Sequence, residues 1–458
     1  MDSKKKSLYI EIGFCVVVFA LLLVWTGVQP LHSSPDELMR YDVIEYLFKH
    51  GTLPHGGEEE IRNGVWGISY AFHPYLSSIF SAIFMRITSI FTTNARALLL
   101  AARMVNISLG AGTTFLSLRI GKRLFSDGAK WLFAALVAFL PGAFFLFTYL
   151  NNDALAIFST AVMILMWVRG MQDEWSLKTC VGLATGLSLC ALSYYNAYGV
   201  ALCSIIFFVT TILMGREKKF EWKFLLSRGA MITGIVLVLA GWWFIRAYII
   251  YDGDFLGLNI SDSYAQLYAI DELKPSNRQT MQMMGNSVKD MLVYTAPGWR
   301  HNWVVTVGTS FIGMFGWMEI DMPFTLTKVY VAFMGVGLIG VLVGIKKGFF
   351  TLYEATAKQV KVWCKETIFR WCLVIAMVIP CVLLVFYSYT SDLQAQGRYI
   401  MSALIPLMYF VTWGYQTLLK RFVKDSKIRE IFYLGTAALL LMGLLYTTFA
   451  VYLPWYIS

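Results

Sequence analysis

The chain has 458 residues, of which 58% are hydrophobic and 14% charged, and it carries a formal net charge of +10; its mean hydropathy is +0.61. These values exclude a soluble globular protein. They also exclude a nucleic-acid footprint, because the positive charge is split into short blocks between apolar runs instead of being gathered on one polar surface.

Apolar runs of about twenty residues recur along the chain, the pattern of a polytopic helical membrane protein. The first follows MDSKKK and extends from Leu8 to Val28. It is long, and no small-residue cleavage site precedes Pro30, so it reads as a retained signal anchor with Lys4, Lys5 and Lys6 in the cytoplasm. The stretch from Leu31 to Pro74 is then the first polar segment delivered across the membrane. It holds His32, His50, His55 and His73, four of the five histidines, together with the adjacent acids Asp36 and Glu37. Ser34-Pro35-Asp36-Glu37 reads as a helix start, with Ser as N-cap, Pro at N1 and Glu at N3. Over 36–50, Tyr41, Val43, Ile44, Leu47 and Phe48 share one side of a helix, and Asp42, Glu45 and Lys49 share the other. Arg40 is the one charge out of place. This is an amphipathic helix suited to a membrane surface. A second surface helix is expected over 74–91, since a span there would put RIGKR at 119–123 and the later cationic loops outside.

Eleven membrane helices are expected, at about 8–28, 97–118, 130–149, 153–169, 178–195, 197–214, 230–251, 326–345, 370–389, 400–419 and 431–453. The cytoplasmic side then carries KKK at 4–6, RIGKR, REKKFEWK at 216–223, the stretch from Lys346 to Arg370, and KRFVKDSKIRE at 420–430. With the adjoining helix ends this side holds 25 of the 38 Lys and Arg, and the other side holds 17 of the 28 acids, as the positive-inside rule requires. A long outer region from about Tyr251 to Phe324 is rich in Asp, Asn, Ser, Tyr and Trp, with a helix expected around 261–273; loops of such length tend to be functional. Residues 346–369 read as a basic amphipathic helix on the inner leaflet. The fold class is therefore all-α. A transmembrane module spans 1–251, with its first outer loop at about 29–96; a large outer loop follows at 252–325 and a C-terminal transmembrane module at 326–458.

The residues suited to chemistry gather on the outer side. Capping explains Glu37 better than Asp36, because N3 is the position that reaches back to the N-cap. Asp36 is left to project near the interface, where partial desolvation would raise its pKa toward a general-base range. Asn151-Asn152-Asp153 sits on a tight outer turn, either as a helix cap or as a site held at fixed depth. Arg103, Arg246 and Arg398 all lie near the outer boundary. A cation costs about 2.5–3.5 kcal/mol at the bilayer centre and less near the interface. Snorkelling accounts for one such residue, whereas three point to an anionic partner, and guanidinium suits phosphate. Arg398 is the strongest of them, with Gly397 permitting close backbone approach and Tyr399 adding a hydroxyl. Tyr195, in SYYNAY, belongs either to an aromatic belt or to the site. His73, before Pro74, is either a cap or a contact for sugar or phosphate. GxxxxGK[ST], HExxH and GxSxG are absent, so ATP-driven transport and zinc proteolysis have no support. The seven cysteines lie in or beside apolar segments without a CxxC and read as packing residues.

In their order, Pro35-Asp36-Glu37, His73-Pro74-Tyr75-Leu76, the turn Asn151 to Asp153, FGWM at 315–318 and QGRY at 396–399 resemble the GT-C superfamily of polytopic membrane glycosyltransferases, and within it an uncharacterised bacterial membrane-protein family. The resemblance spans most of the chain. It implies a GT-C-like topology with two juxtamembrane helices in the first outer loop, a sugar donor linked to polyprenyl phosphate, and inverting transfer to a glycan, lipid or protein acceptor outside the cytoplasm. Asp36 would be the base, supported by Glu37. Asp153, with Asn152, would position the site; Arg398 and Tyr399, joined by Arg103 and Arg246, would hold the lipid phosphate, with His73 and Tyr195 as further substrate contacts. The chain departs from the expected pattern where Arg40 and Tyr41 replace a histidine after the acidic pair, and where Tyr194-Tyr195-Asn196 replaces a lysine. No cofactor is specified, and a divalent metal is left open. Besides the donor and acceptor, the partner is the bilayer; nucleic acid is not expected. The competing reading is a lipid-linked oligosaccharide flippase, which would place polar groups near the membrane midplane. Here the charges collect at one face.

Overall fold

The computed structural model describes residues 3–214, 222–355 and 360–457. It is a helical bundle, and among the described residues eight helices are long and apolar enough to cross a membrane. The chain begins with α1 (Ser3–Val28), followed by the short amphipathic α2 (Glu37–His50) and α3 (Leu76–Ser89). Next come α4 (Ala95–Leu124), α5 (Ala129–Ala138) and α6 (Pro141–Leu146), then α7 (Asp153–Asp173), α8 (Leu177–Ala191), α9 (Tyr198–Met214) and α10 (Trp222–Ile250). Pro141 at the start of α6 cannot continue α5, so the third expected span is two short helices in sequence. The long loop carries α11 (Leu258–Tyr268), α12 (Val288–Val293) and α13 (Trp303–Gly313), and a tight hairpin of β1 (Met314–Phe315) and β2 (Ile320–Asp321). The bundle ends with α14 (Phe324–Phe349), α15 (Lys365–Thr390), α16 (Leu404–Phe422), α17 (Ser426–Thr447) and α18 (Leu453–Ile457).

First and last helices close on each other. The Trp25 ring stacks on Tyr452 at 3.8 Å, and its indole N–H donates to Thr448 at 2.8 Å. In α14, Gly340 faces Gly414 of α16 so closely that a Cβ there would lie 2.2 Å from the Gly414 carbonyl oxygen. Small residues permit this approach where no hydrophobic force separates helix from lipid.

Several expectations are corrected. Residues 346–369 are not one helix: β3 (Leu352–Ala355) pairs antiparallel with β4 (Val360–Trp363), with Leu352 opposite Trp363. The alternation Val360-Lys361-Val362-Trp363 has the period of a strand. The helix expected at 261–273 ends at Tyr268, and a separate 3-10 turn occupies Asp271–Leu273. The basic stretch at 216–221 lies outside the described residues.

The two amphipathic helices have different surroundings. In α3, Phe80, Ile83, Phe84 and Ile87 are exposed, and the helix, 14 residues long, rises only about 21 Å at 1.5 Å per residue, so it is too short to span the membrane. In α2 the apolar side is covered by protein instead of lying on a membrane. Val43, Ile44 and Leu47 pack with Tyr75, Met85, Ala102 and Trp243.

The start of α2 also differs from the expected capping box. The helix begins at Glu37, after Asp36 in the left-handed conformation at φ 62° and with no side-chain cap. Ser34 Oγ instead accepts from Gln29. Glu37, fully buried, takes two hydrogen bonds from Arg103 of α4, each 2.8 Å, and one from the Leu150 N–H at 3.1 Å. The remaining Arg103 donors reach the carbonyls of Gln29 at 2.6 Å and Pro30 at 3.1 Å. A buried guanidinium left without its carboxylate is strongly destabilising. Glu37→Leu should therefore lower stability by about 3–5 kcal/mol, and Glu37→Leu with Arg103→Leu should recover most of it, read as thermal unfolding in detergent. A single substitution that melts like the wild type would show that the pair does not hold the loop.

Candidate active site

Three separate segments deliver the polar groups of the site. Glu37 fixes the end of the α2 loop, and so Asp36, one residue earlier, is held in its left-handed turn, a conformation aspartate tolerates better than most residues. The second segment is the turn before α7. There Asn151 Oδ1 accepts from the Ala154 N–H at 2.9 Å and serves as the cap. Asn152 is buried; its amide donates to the carbonyls of Pro74 at 2.9 Å and Ser193 at 3.2 Å, and accepts from Ser77 at 2.8 Å. That amide therefore knots three loops together instead of facing a ligand. Asp153 follows, 6% exposed, and among the described residues no other residue forms an ion pair or a hydrogen bond with its carboxylate.

The third segment is the 3-10 turn Gly397–Ala403 before α16. Gly397 lies against α13 so tightly that a Cβ would come 2.2 Å from the Phe311 nitrogen, and its N–H donates to Ser310 Oγ at 2.7 Å. Glycine is required here for backbone packing, and this contact aims Arg398. Its Nη2 donates to Asp36 Oδ2 at 2.5 Å and to the Tyr399 hydroxyl at 3.0 Å. Among the described residues the Arg398 Nε is buried with no hydrogen-bond partner, and the Tyr149 hydroxyl lies close enough for Arg398 to act on it. Beside Arg398 lies a small open cleft lined by Pro35, Phe145, Tyr149, Met314, Met318 and Arg398 among others. Gly316 and Met318 of the FGWM hairpin also border it, and Trp317 anchors that hairpin by donating to the His32 carbonyl at 2.9 Å.

Electrostatics at Asp36 run opposite to expectation. Burial pushes its carboxyl up, but the Arg398 and Arg40 guanidiniums and the neighbouring Tyr70 hydroxyl outweigh burial and hold it below the ordinary carboxylate range. Among the same neighbours, burial raises the Tyr70 hydroxyl well above its usual value. His73 stands between Tyr70 and Tyr195, with ring centroids 6.4 and 5.7 Å away. Burial, helped by Arg40, pushes its pKa down to about 4, so at neutral pH it is an uncharged imidazole, and its Nδ1 has no hydrogen-bond partner among the described residues.

Other expected site residues stand apart. Glu37 and Arg103 neutralise each other in a fully buried pair and are bonded to protein groups. Arg246 donates to the carbonyls of Leu53 at 3.3 Å and Pro54 at 2.8 Å and belongs with Trp243 and Tyr251, not with Arg398. The Tyr195 hydroxyl is engaged by the Leu256 carbonyl at 2.5 Å. Arg40, Tyr70 and Tyr149 join the site without having been expected there. Arg40 carried a signal, as a charge on the apolar stripe shared with Val43, Ile44 and Leu47; the two tyrosines carried none. Among the described residues, no three His, Cys, Asp or Glu side chains gather as a metal site.

No family model matches the chain. No curated protein matches it either. Solved structures do. An archaeal oligosaccharyltransferase, AglB from Archaeoglobus fulgidus, in complex with an inhibitory peptide and a dolichol-phosphate, aligns over 98% of this chain with 11% identity and a TM-score of 0.55. The apo form of the Archaeoglobus fulgidus oligosaccharyltransferase aligns over 98% with 12% identity and a TM-score of 0.54. The same enzyme tethered to an acceptor peptide containing the NVT sequon aligns over 98% with 12% identity and a TM-score of 0.52. This chain spans 56% of the length of the first two and 55% of the third. At such identity the likeness is one of fold: over nearly its whole length the chain shares the polytopic helical fold of these oligosaccharyltransferase structures.

Proposed function

We propose that the protein is a membrane glycosyltransferase that moves a sugar from a polyprenyl-phosphate carrier to a glycan, lipid or protein acceptor, with inversion, on the extracytoplasmic side of a bacterial plasma membrane. The observation that carries this reading is the meeting of Asp36 and Arg398, 362 residues apart in sequence, beside a cleft lined by methionine and aromatic side chains. A carrier lipid with a phosphate head needs a cation at the membrane boundary and an apolar groove beside it. An acceptor hydroxyl needs a carboxylate to take its proton. The α2–α3 end of the bundle supplies these, whereas the opposite end holds Glu11 ringed by Arg119, Lys122 and Lys130. Cationic ends of that kind favour the cytoplasm.

In the proposed reaction, Asp36 accepts the proton of the acceptor hydroxyl as its oxygen attacks the anomeric carbon. The bond from that carbon to the phosphate oxygen breaks, and the electron pair leaves with the prenyl phosphate, whose charge Arg398 offsets. Donor phosphate drawing on Arg398 weakens that residue's hold on Asp36, and the carboxylate becomes a better base when the donor is in place. Glu37 and Arg103 position Asp36 and do not touch substrate.

Purified protein given a polyprenyl-phosphate sugar should release polyprenyl phosphate. Asp36→Asn should cut turnover by a factor of about 10²–10⁴ while still folding, with some loss of stability from the broken Arg398 pair, and full turnover in that variant would reject the assignment. Arg398→Ala should weaken donor binding more than it alters folding.

A pH profile gives a separate test. Asp36 has a depressed pKa, so its charged form, and the stability that form contributes, are fully present above the unfolded-state value and are lost as pH falls through the lower folded value. Wild-type kcat/KM should therefore hold from neutral pH down into the ordinary carboxylate range. In Arg398→Gln burial acts unopposed by that charge, and the acid limb should move to higher pH. An acid limb that stays in place would mean that Arg398 does not set the proton affinity of the base.

A further inference from the structure

The Asp36–Arg398 and Glu37–Arg103 contacts leave one guanidinium at the site without a counter-ion in contact. Arg40 is 6% exposed, and among the described residues its Nε has no hydrogen-bond partner and its guanidinium forms no ion pair. Its guanidinium carbon lies 4.1 Å over the Tyr70 ring. Asp36 and Asp153 feel its charge, but the Asp36 carboxylate is bonded to Arg398 at 2.5 Å, and among the described residues neither carboxylate forms an ion pair with the Arg40 guanidinium. The Nδ1 of His73, which also feels Arg40, is a second buried polar atom with no hydrogen-bond partner among the described residues.

A guanidinium presents five N–H donors. Removing it from water without an anion is among the least stable arrangements a core can hold. A face-on tyrosine recovers only part of that loss. Arg40 also occupies an apolar position of α2, in register with Val43, Ile44 and Leu47, where a hydrophobic side chain would give a more stable ligand-free protein. Such a charge is expected where a ligand completes the site.

We propose that Arg40 is an oxyanion-binding residue of this site and takes a phosphate-type anion that Arg398, already shared with Asp36, does not neutralise alone. The identity of that anion rests on the glycosyl-transfer reading. A sugar linked through one phosphate carries a single charge there, and the released prenyl monoester carries about −1.5 to −2 at neutral pH. Charge therefore grows as the bond breaks, and a second guanidinium stabilises the later state more than the earlier one. An acceptor bearing a phosphate or carboxylate would offer the same chemistry, so the experiment separates the two sources.

The test uses the full-length protein in detergent with geranylgeranyl phosphate as the probe, geranylgeraniol as the uncharged control, and glucose 1-phosphate and glucuronate as acceptor-like anions. Binding and melting temperature are read for wild type, Arg40→Met and Arg40→Lys. The expected result is wild-type binding of geranylgeranyl phosphate but not of the alcohol, weakened about tenfold or more in Arg40→Met, with part of the affinity kept in Arg40→Lys, because a lysine retains the charge without the fork. Ligand-free Arg40→Met should melt no lower than wild type, an outcome that a purely structural arginine would not give. Unchanged geranylgeranyl phosphate affinity in Arg40→Met overturns the proposal, as does a lower melting temperature in both variants with affinity intact. If the wild type ignores geranylgeranyl phosphate but binds a charged sugar through Arg40, the oxyanion role stands and the carrier-lipid reading falls. Binding of none of these anions overturns both.

Discussion

The buried ion pair between Glu37 and Arg103 is the constraint from which the site follows. It joins the first loop to α4, and through the Gln29, Pro30 and Leu150 backbone it also joins the end of α1 and the turn before α7. A pair of this kind contributes little net stability against a well-packed apolar alternative, because desolvation opposes the attraction. What it contributes is position. Both charges are satisfied only in one arrangement, so the backbone one residue earlier is held in a left-handed turn, and the Asp36 carboxylate is directed toward Arg398.

Asp36 is consequently a carboxylate under opposing influences. Burial disfavours its charge, and two guanidiniums restore it. In the proposed mechanism this carboxylate is ionised at any physiological pH yet a weak base until something draws the positive charge away. An arriving phosphate has that capacity. Coupling of this kind would keep the carboxylate idle in the absence of donor, and it depends on Arg398 being reachable from the cleft while Glu37 and Arg103 stay locked.

The rest of the fold positions these groups and shields them. Asn152 fastens the turn before α7 to the loops at Pro74 and Ser193, and Gly397 lets the Arg398 turn lie against α13. The β1–β2 hairpin closes one side of the cleft, with Phe315 edge-on to Trp25 at 5.2 Å. The two amphipathic helices divide their work: α3 exposes an apolar face of the kind a bilayer boundary covers, whereas α2 turns its apolar face inward and carries Arg40 with it.

Much of the architecture was readable from the residues in order. Hydropathy of about twenty-residue runs, the asymmetry of Lys and Arg, and the 3.6-residue period of two short helices are local properties set by solvent, so they marked the helices, including the surface status of α3, before any contact was known. The stretches that misled were those where local signals compete: a strand-period segment between two spans, and a capping pattern at Ser34 overruled by Gln29 and Arg103. Asp36, Asp153 and Arg398 were legible as candidates because charge at an apolar boundary demands a reason. Only the tertiary structure decided which of two adjacent acids is bound to Arg103, 66 residues away, and which meets Arg398, 362 residues away. It also decided that Arg246 faces backbone carbonyls and that Arg40 forms no ion pair among the described residues. The physical reason is that an ionic group's role depends on its partner and on the water it loses, and helix packing sets both at distances along the chain that no local pattern spans.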